Sequence, residues 1–185
     1  MKVLGLSSSV RKGNSQGLLQ AVLDGAKEAG AEVELIRLAD KDIKPCKGCG
    51  YCKAEGHTTC VTKDDMQEIY KKIAEADAVV LGSPVYFGRP NSIALCMVER
   101  MYAMVDAKFA SHIKAGKNFA SVQTCGSNGA DVTDAIHASL AGAFSFFGMK
   151  DAGHVWANNC YAQDDFSKDT AKIAEAKKLG KKLAE

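Results

Sequence analysis

The sequence predicts an α/β protein: a doubly wound sheet of five parallel strands in the order 2-1-3-4-5, with helices on both faces. Short apolar runs alternate five times with segments of helical period. Ala78 to Ser83 is almost wholly apolar, as in a central parallel strand covered on both sides. Five strand-helix pairs match this order better than a six-stranded dinucleotide-binding sheet.

The first strand is Val3 to Ser7, followed by a helix from about Ser15 with Leu18, Leu19, Val22, Leu23 and Ala26 on one face and Ala29-Gly30 at its end. Ser15 is the natural N-cap. The second strand is Val33 to Leu38. After a Cys-rich loop at 45–61, Asp64-Asp65-Met66 opens a helix whose core stripe is Met66, Ile69, Tyr70 and Ile73, with Asp65 and Glu68 as the capping pair. Ser92 to Val105 reads as helix, sending Met97, Met101 and Met104 to the core. Phe119 to Thr124 is the fourth strand, Ile136, Leu140, Phe144 and Phe147 line the fourth helix, and Ala152 to Ala157 is the fifth strand. In the terminal helix Ile173, Ala176, Leu179 and Leu183 form the apolar stripe, and the lysines from Lys168 to Lys182 form its solvated side. Five units in this order make the fold flavodoxin-like.

A chain of 185 residues, 46% of them hydrophobic, supports one core, so residues 1–185 read as a single domain. The formal net charge of +2 argues against a nucleic-acid surface. The amino-terminal apolar run turns polar at Ser7, too early for a signal peptide or a membrane span, so the expected location is cytoplasmic with no membrane partner. In a reducing compartment seven cysteines read as metal-binding or redox groups rather than a disulfide framework.

Ligands of such sheets bind at the carboxyl ends of the strands, which directs attention to residues 7–15, 39–62, 83–91 and 124–130. The first of these, Ser7-Ser8-Ser9-Val10-Arg11-Lys12-Gly13-Asn14-Ser15, combines hydroxyls, two cations, a flexible Gly and a helix amino terminus. That chemistry suits a terminal phosphate: free N–H groups and the helix dipole attract the dianion, and Arg11 neutralises it. The alternative is a Ser-rich loop that merely caps a helix. Neither G-x-G-x-x-G nor G-x-x-x-x-G-K-[ST] is present, so a mononucleotide phosphate fits best.

Ser83-Pro84-Val85-Tyr86-Phe87-Gly88 follows the third strand and sets a rigid, aromatic segment beside that loop, where a flat ring could lie. The alternative is a strand end with two core aromatics. Cys46, Cys49, Cys52 and Cys60, spaced C-x2-C-x2-C-x7-C, are the most specific signal. They are compatible with an iron-sulfur cluster, a redox-active thiol loop or structural zinc, the triple C-x2-C-x2-C run being most like a ferredoxin arrangement. His57 reads as a solvated loop residue, and Cys125 as a small buried filler.

Over residues 1 to roughly 150 the chain resembles the NAD(P)H-dependent FMN reductases and their relatives, the iron-sulfur flavoproteins. The Ser-rich turn, Arg and Asn-Ser are in register, although Val10 stands where Pro is common. The resemblance implies that Ser7, Ser9, Arg11, Asn14 and Ser15 hold the FMN phosphate with Gln16 close by. It implies that Ser83, Pro84, Val85, Tyr86, Phe87 and Gly88, similar to the S-P-x-Y stretch of the family, contact the isoalloxazine ring. Thr124, Gly126 and Gly129 belong to a segment, Thr124-Cys125-Gly126-Ser127-Asn128-Gly129, that looks like the family's Gly-rich loop. Cys46, Cys49, Cys52 and Cys60 stand where the relatives ligate a four-iron, four-sulfur (4Fe-4S) cluster near the FMN of a neighbouring subunit, which implies a homodimer or homotetramer.

The expected function is FMN-dependent oxidoreduction between a ferredoxin-like or NAD(P)H donor and a small acceptor, the cofactors carrying the chemistry. Without a cluster the expectation becomes NAD(P)H-driven reduction of FMN or quinones. A non-enzymatic flavodoxin-type carrier is the third alternative. The slightly basic charge argues against it, because flavodoxins are typically strongly acidic.

Overall fold

The computed structural model describes residues 1–127 and 129–185, so Asn128 of the Gly-rich segment lies outside the described residues. Along the chain come β1 (Lys2–Ser7), α1 (Asn14–Glu28), β2 (Glu32–Arg37), α2 (Met66–Glu75), β3 (Ala78–Tyr86), β4 (Arg89–Pro90), α3 (Ser92–Arg100), β5 (Asn118–Thr124), α4 (Ala130–Ser145), β6 (Lys150–Ala157) and α5 (Thr170–Leu183). The sheet runs β2-β1-β3-β5-β6, with the short β4 paired antiparallel to the end of β3. The long strands are mutually parallel, and leaving out β4 their order is the predicted 2-1-3-4-5. The fold is flavodoxin-like.

Alternation along the strands sends side chains to two separate cores. Leu4, Leu6, Val79, Leu81 and Phe119 pack beneath α2, α3 and α4. Val3, Val80, Ala120, Val122 and Val155 pack beneath α1 and α5. Fully burying one such Leu, Val or Phe stabilises the fold by about 1.5–3 kcal/mol. The expected apolar stripes are buried, including Met97, Met101 and Met104, and Ala176, Leu179 and Leu183, with Ile173 of the terminal helix only partly so.

Three local expectations need correction. The first helix begins at Asn14 with Gly13 at its N-cap, so Ser15 is a buried helical residue rather than the cap. The third helix stops at Arg100 and continues only as the 3-10 turn Met101–Met104. Asp65 makes no side-chain cap to α2; the adjacent Asp64 accepts from the Met66 N–H at 3.2 Å instead.

Candidate functional site

The carboxyl ends of β1, β3 and β5 meet the β6–α5 connection around a cavity of ≈ 170 Å³. Ser9, Arg11, Asn14 and Ser15 line it from the first loop, Pro84, Val85 and Tyr86 from the third, and Thr124 and Gly126 from the fourth. Ser7, Gln16, Ser83, Phe87, Gly88 and Gly129 do not line it.

Hydrogen bonds fix the first loop. The Ser8 N–H and Oγ both donate to the Gly82 carbonyl, at 2.9 and 3.0 Å, which binds the loop to β3. Ser9 Oγ donates to the Arg11 carbonyl at 2.8 Å, curling the chain before α1. The Ser15 hydroxyl bonds that of Thr124 at 2.5 Å, joining the first loop to the fourth. Arg37 donates to the Val10 carbonyl at 3.1 Å and to the Gln16 side chain, so Gln16 supports the loop from outside the cavity. Among the described residues no side-chain cap closes the amino terminus of α1, whose N-cap is Gly13. The Arg11 side chain is exposed at the rim and makes no hydrogen bond among the described residues. An uncapped helix start, a free guanidinium and two hydroxyls therefore face one small space, and that donor set fits a phosphate monoester.

Sequence reasoning missed Asn91. Its amide donates to the Ser8 carbonyl at 2.8 Å, its Oδ1 caps α3 through the Ala94 N–H at 3.1 Å, and its own N–H bonds Ser83 Oγ at 3.1 Å. Ser83 is thereby a buried support beneath the ring segment. An Asn just after Pro90 and before an apolar helix was the available signal.

Tyr86 and Phe87 are not core aromatics: Tyr86 is 55% exposed and Phe87 fully so. Val85 pairs with Pro90 and Tyr86 with Arg89, leaving Phe87-Gly88 as a two-residue hairpin loop. Both loop residues have positive φ, 51° and 73°. A primed hairpin turn requires that, and Gly88 adopts it freely whereas Phe87 is strained. An exposed, strained aromatic thus stands beside the cavity.

The β6–α5 connection forms the wall that the sequence did not reveal. Cys160 and Gln163 line the cavity beside the buried Cys125. The Cys160 N–H donates to the Cys125 carbonyl at 3.0 Å. Burial raises the Cys125 thiol, and burial, followed by Cys125, pushes that of Cys160 up to about 11. Burial thus disfavours the thiolate at both positions.

The four clustered cysteines lie on the loop after β2. Cys46 and Cys49 are exposed, while Cys52 and Cys60 pack against the α2-α3-α4 core. Burial, outweighing Lys53, pushes the Cys52 thiol up, with Cys60 and Cys46 contributing. For Cys60 burial is countered by Thr62 and Arg100, and its thiol falls below the ordinary value. Among the described residues no three His, Cys, Asp or Glu side chains are gathered as a metal-binding group. The donor set, four thiols on one short loop, fits soft iron-sulfur ligation in its chemistry. His57 is half-buried rather than solvated: it stacks on Tyr51 with centroids 4.0 Å apart and bonds the Tyr51 carbonyl at 2.9 Å.

A larger groove of ≈ 550 Å³ lies between Val98, Tyr102, Val105, Phe146 and Phe147, with Cys46 at its edge. Its walls are mostly apolar, and the one charged lining residue, Glu99, repels phosphate. No helix among the described residues is long and apolar enough to cross a membrane.

The family described as NADPH-dependent FMN reductase matches residues 1–163. An iron-sulfur flavoprotein of Methanocaldococcus jannaschii is 46% identical over 101 residues, 54% of this chain and 51% of the relative. One from Methanosarcina thermophila is 36% identical over 117 residues, 63% of this chain and 60% of the relative. The chain thus spans about half to three-fifths of the length of these relatives. Among solved structures, an NAD(P)H:quinone oxidoreductase from Methanothermobacter marburgensis superposes with a TM-score of 0.74 at 16% identity, covering 100% of this chain and 98% of that one. An FMN-dependent NADH-azoreductase from Bacillus anthracis gives 0.74 at 17% identity, covering 100% of both. At such identities these two likenesses establish the fold alone.

Proposed function

The chain belongs to the NADPH-dependent FMN reductase family, and we propose that it is an FMN-dependent oxidoreductase moving electrons between an NAD(P)H or ferredoxin-like donor and a small-molecule acceptor. The observation that carries this is the convergence of the uncapped α1 amino terminus, Arg11 and the Tyr86 wall on one cavity. The backbone N–H groups of residues 9–15 and the Ser15 and Thr124 hydroxyls orient the phosphate, and Arg11 balances its charge. Pro84, Val85 and Tyr86 present the side against which the ring lies, and Gly126 lines the same cavity. Ser7, Gln16, Ser83, Phe87, Gly88 and Gly129 support these groups from behind or at the rim.

Cys46, Cys49, Cys52 and Cys60 would ligate the 4Fe-4S cluster, a reading supported by relatives named iron-sulfur flavoproteins and by a donor set made only of thiols. When bound, FMN supplies one- and two-electron exchange and the cluster one electron at a time. The proposed working unit is one cytoplasmic domain, residues 1–185, in a homodimer or homotetramer. A second reading, supported by a relative named NAD(P)H dehydrogenase (quinone) that is 29% identical over 112 residues, is an NAD(P)H-dependent quinone reductase without the cluster.

Binding titrations and steady-state turnover test the function. Purified protein should bind FMN more tightly than riboflavin and oxidise NAD(P)H with a quinone acceptor. Arg11→Ala should lower FMN affinity about tenfold, the scale of one charge-assisted hydrogen bond, and leave riboflavin affinity unchanged. Equal wild-type affinities for the two flavins would refute the phosphate site.

A further inference from the structure

We propose that the strap Cys160 to Phe166, between β6 and α5, is a fourth flavin-binding element buckled to the phosphate loop through Asn14, with Gln163 as its ligand contact. The proposal rests on the FMN reading above and adds to it a segment with no sequence signature. The Asn14 side chain uses both ends of its amide on the strap: Nδ2 donates to the Ala162 carbonyl at 2.7 Å and Oδ1 accepts from the Phe166 N–H at 3.0 Å. Gln163 Nε2 donates to the Lys12 carbonyl at 3.1 Å, so three strap residues hold two neighbouring points of the phosphate loop.

Packing enforces the same attachment. A Cβ on Gly13 would lie 2.9 Å from the Gln163 carbonyl oxygen, and one on Gly17 would lie 2.2 Å from the Phe166 ring. The strap backbone therefore rests directly on the loop, and Phe166 seats on α1 only because Gly17 has no side chain. Asp165 shapes the strap from within by accepting the Tyr161 and Ala162 N–H groups at 2.9 and 2.5 Å. The Tyr161 ring lies against Gly126, where a Cβ would come within 2.7 Å of it.

The strap thus joins the first loop to the fourth along one wall of the cavity. Its Gln163 lines the cavity beside the phosphate loop, where Oε1, which accepts no hydrogen bond among the described residues, suits a ribityl hydroxyl, and the strap holds the loop N–H groups in place. Asn14 acts here as a positioning residue whose amide is already engaged.

Hydrogen-deuterium exchange and binding titrations on the intact chain test this. FMN should slow exchange in residues 9–15 and 160–166 together. Gly17→Ala, outside the cavity, should displace Phe166 and weaken FMN about tenfold and riboflavin less; Gln163→Ala, which removes the ribityl contact that both flavins share, should weaken both by a similar factor. Circular dichroism should show α1 intact in Gly17→Ala. Protection of residues 9–15 with no change in 160–166 would overturn the strap proposal and leave the FMN site standing, as would wild-type affinity in both variants. Failure of the wild-type protein to bind FMN would defeat the site and the strap together.

Discussion

Arg100 and Asp64 form a bidentate ion pair at 2.5 and 3.0 Å, with side chains only 1% and 0% exposed. The pair closes the neck of the cysteine loop: Arg100 donates to the Lys44 carbonyl at 2.7 Å, and Asp64 accepts the Lys44 N–H at 3.0 Å. Lys44 precedes the cysteine loop and Asp64 follows it, so one ion pair holds both ends. Burial alone would raise the Asp64 carboxyl, but Arg100 and the Lys44 N–H overcome it and hold the group below its ordinary value.

Removing one partner leaves the other charged and buried. Asp64→Asn should cost about 3–5 kcal/mol, measured by urea unfolding, while Asp64→Leu with Arg100→Met should recover most of that loss because neither charge is then stranded. A loss below about 1 kcal/mol in Asp64→Asn would mean that the pair does not hold the neck.

Phe87 is held at φ 51° in a hairpin loop and fully exposed, so its side chain gains nothing from burial to offset backbone strain. Phe87→Gly should raise stability by about 1 kcal/mol, since glycine occupies that region without a Cβ clash. Thermal unfolding of the ligand-free protein checks this. A lower melting temperature would show that the ring makes a stabilising contact, as it would in an assembly.

His137 sits on α4, facing β5, and is linked to Ser121 Oγ at 2.7 Å and Asp151 at 3.0 Å. It stacks on His154, with centroids 4.3 Å apart, and His154 bonds Asp134 at 3.0 Å. Burial first, then His154, lowers its pKa, and Asp151 and Asp134 only partly oppose them. The unfolded chain therefore binds the proton first. Stability from neutral His137 should be fully present above the ordinary histidine value and decline as pH falls through that value to the lowered one. Urea midpoints from pH 8 to 5 should show this decline, and His137→Gln should flatten it. An unchanged slope in the variant would assign the pH dependence to another group.

The sheet order was legible because each strand and helix announces itself through local period. The Ser-rich loop, the third-loop aromatics and the cysteine spacing were legible for the same reason: each is contiguous. What was hidden is long-range pairing. Ser15 looks like a cap because its hydroxyl's partner, Thr124, is 109 residues away. The 160–166 strap has ordinary loop composition and acquires its place only by folding back onto Asn14 and Gly17. Phe87 reads as a ring contact, with a core position as the alternative, and only the long-range pairing of β4 with β3 shows it lifted into solvent on a hairpin. Lys117, which the sequence does not single out, is buried and donates to the Ala74 carbonyl at 2.8 Å and to that of Ala76, closing the carboxyl end of α2.

The cysteine loop gives the most decisive prediction, because its proposed ligands share one segment closed at the Lys44–Asp64 neck. Protein made and purified without oxygen should contain about four iron and four acid-labile sulfide per chain, the stoichiometry of a Cys-ligated cubane. Cys49 is exposed and outside both cores, so Cys49→Ala should lower the iron content without affecting the fold or FMN binding. Zinc in place of iron would fit the four-thiol set equally well in ligand type and would assign the loop a structural role. Negligible iron after anaerobic reconstitution, with FMN bound and NAD(P)H oxidised, would remove the cluster and leave the quinone-reductase reading. Iron bound to wild type and equally to Cys49→Ala would instead exclude Cys49 from the ligand set, and substitution of Cys46, Cys52 and Cys60 in turn would identify the ligands that remain.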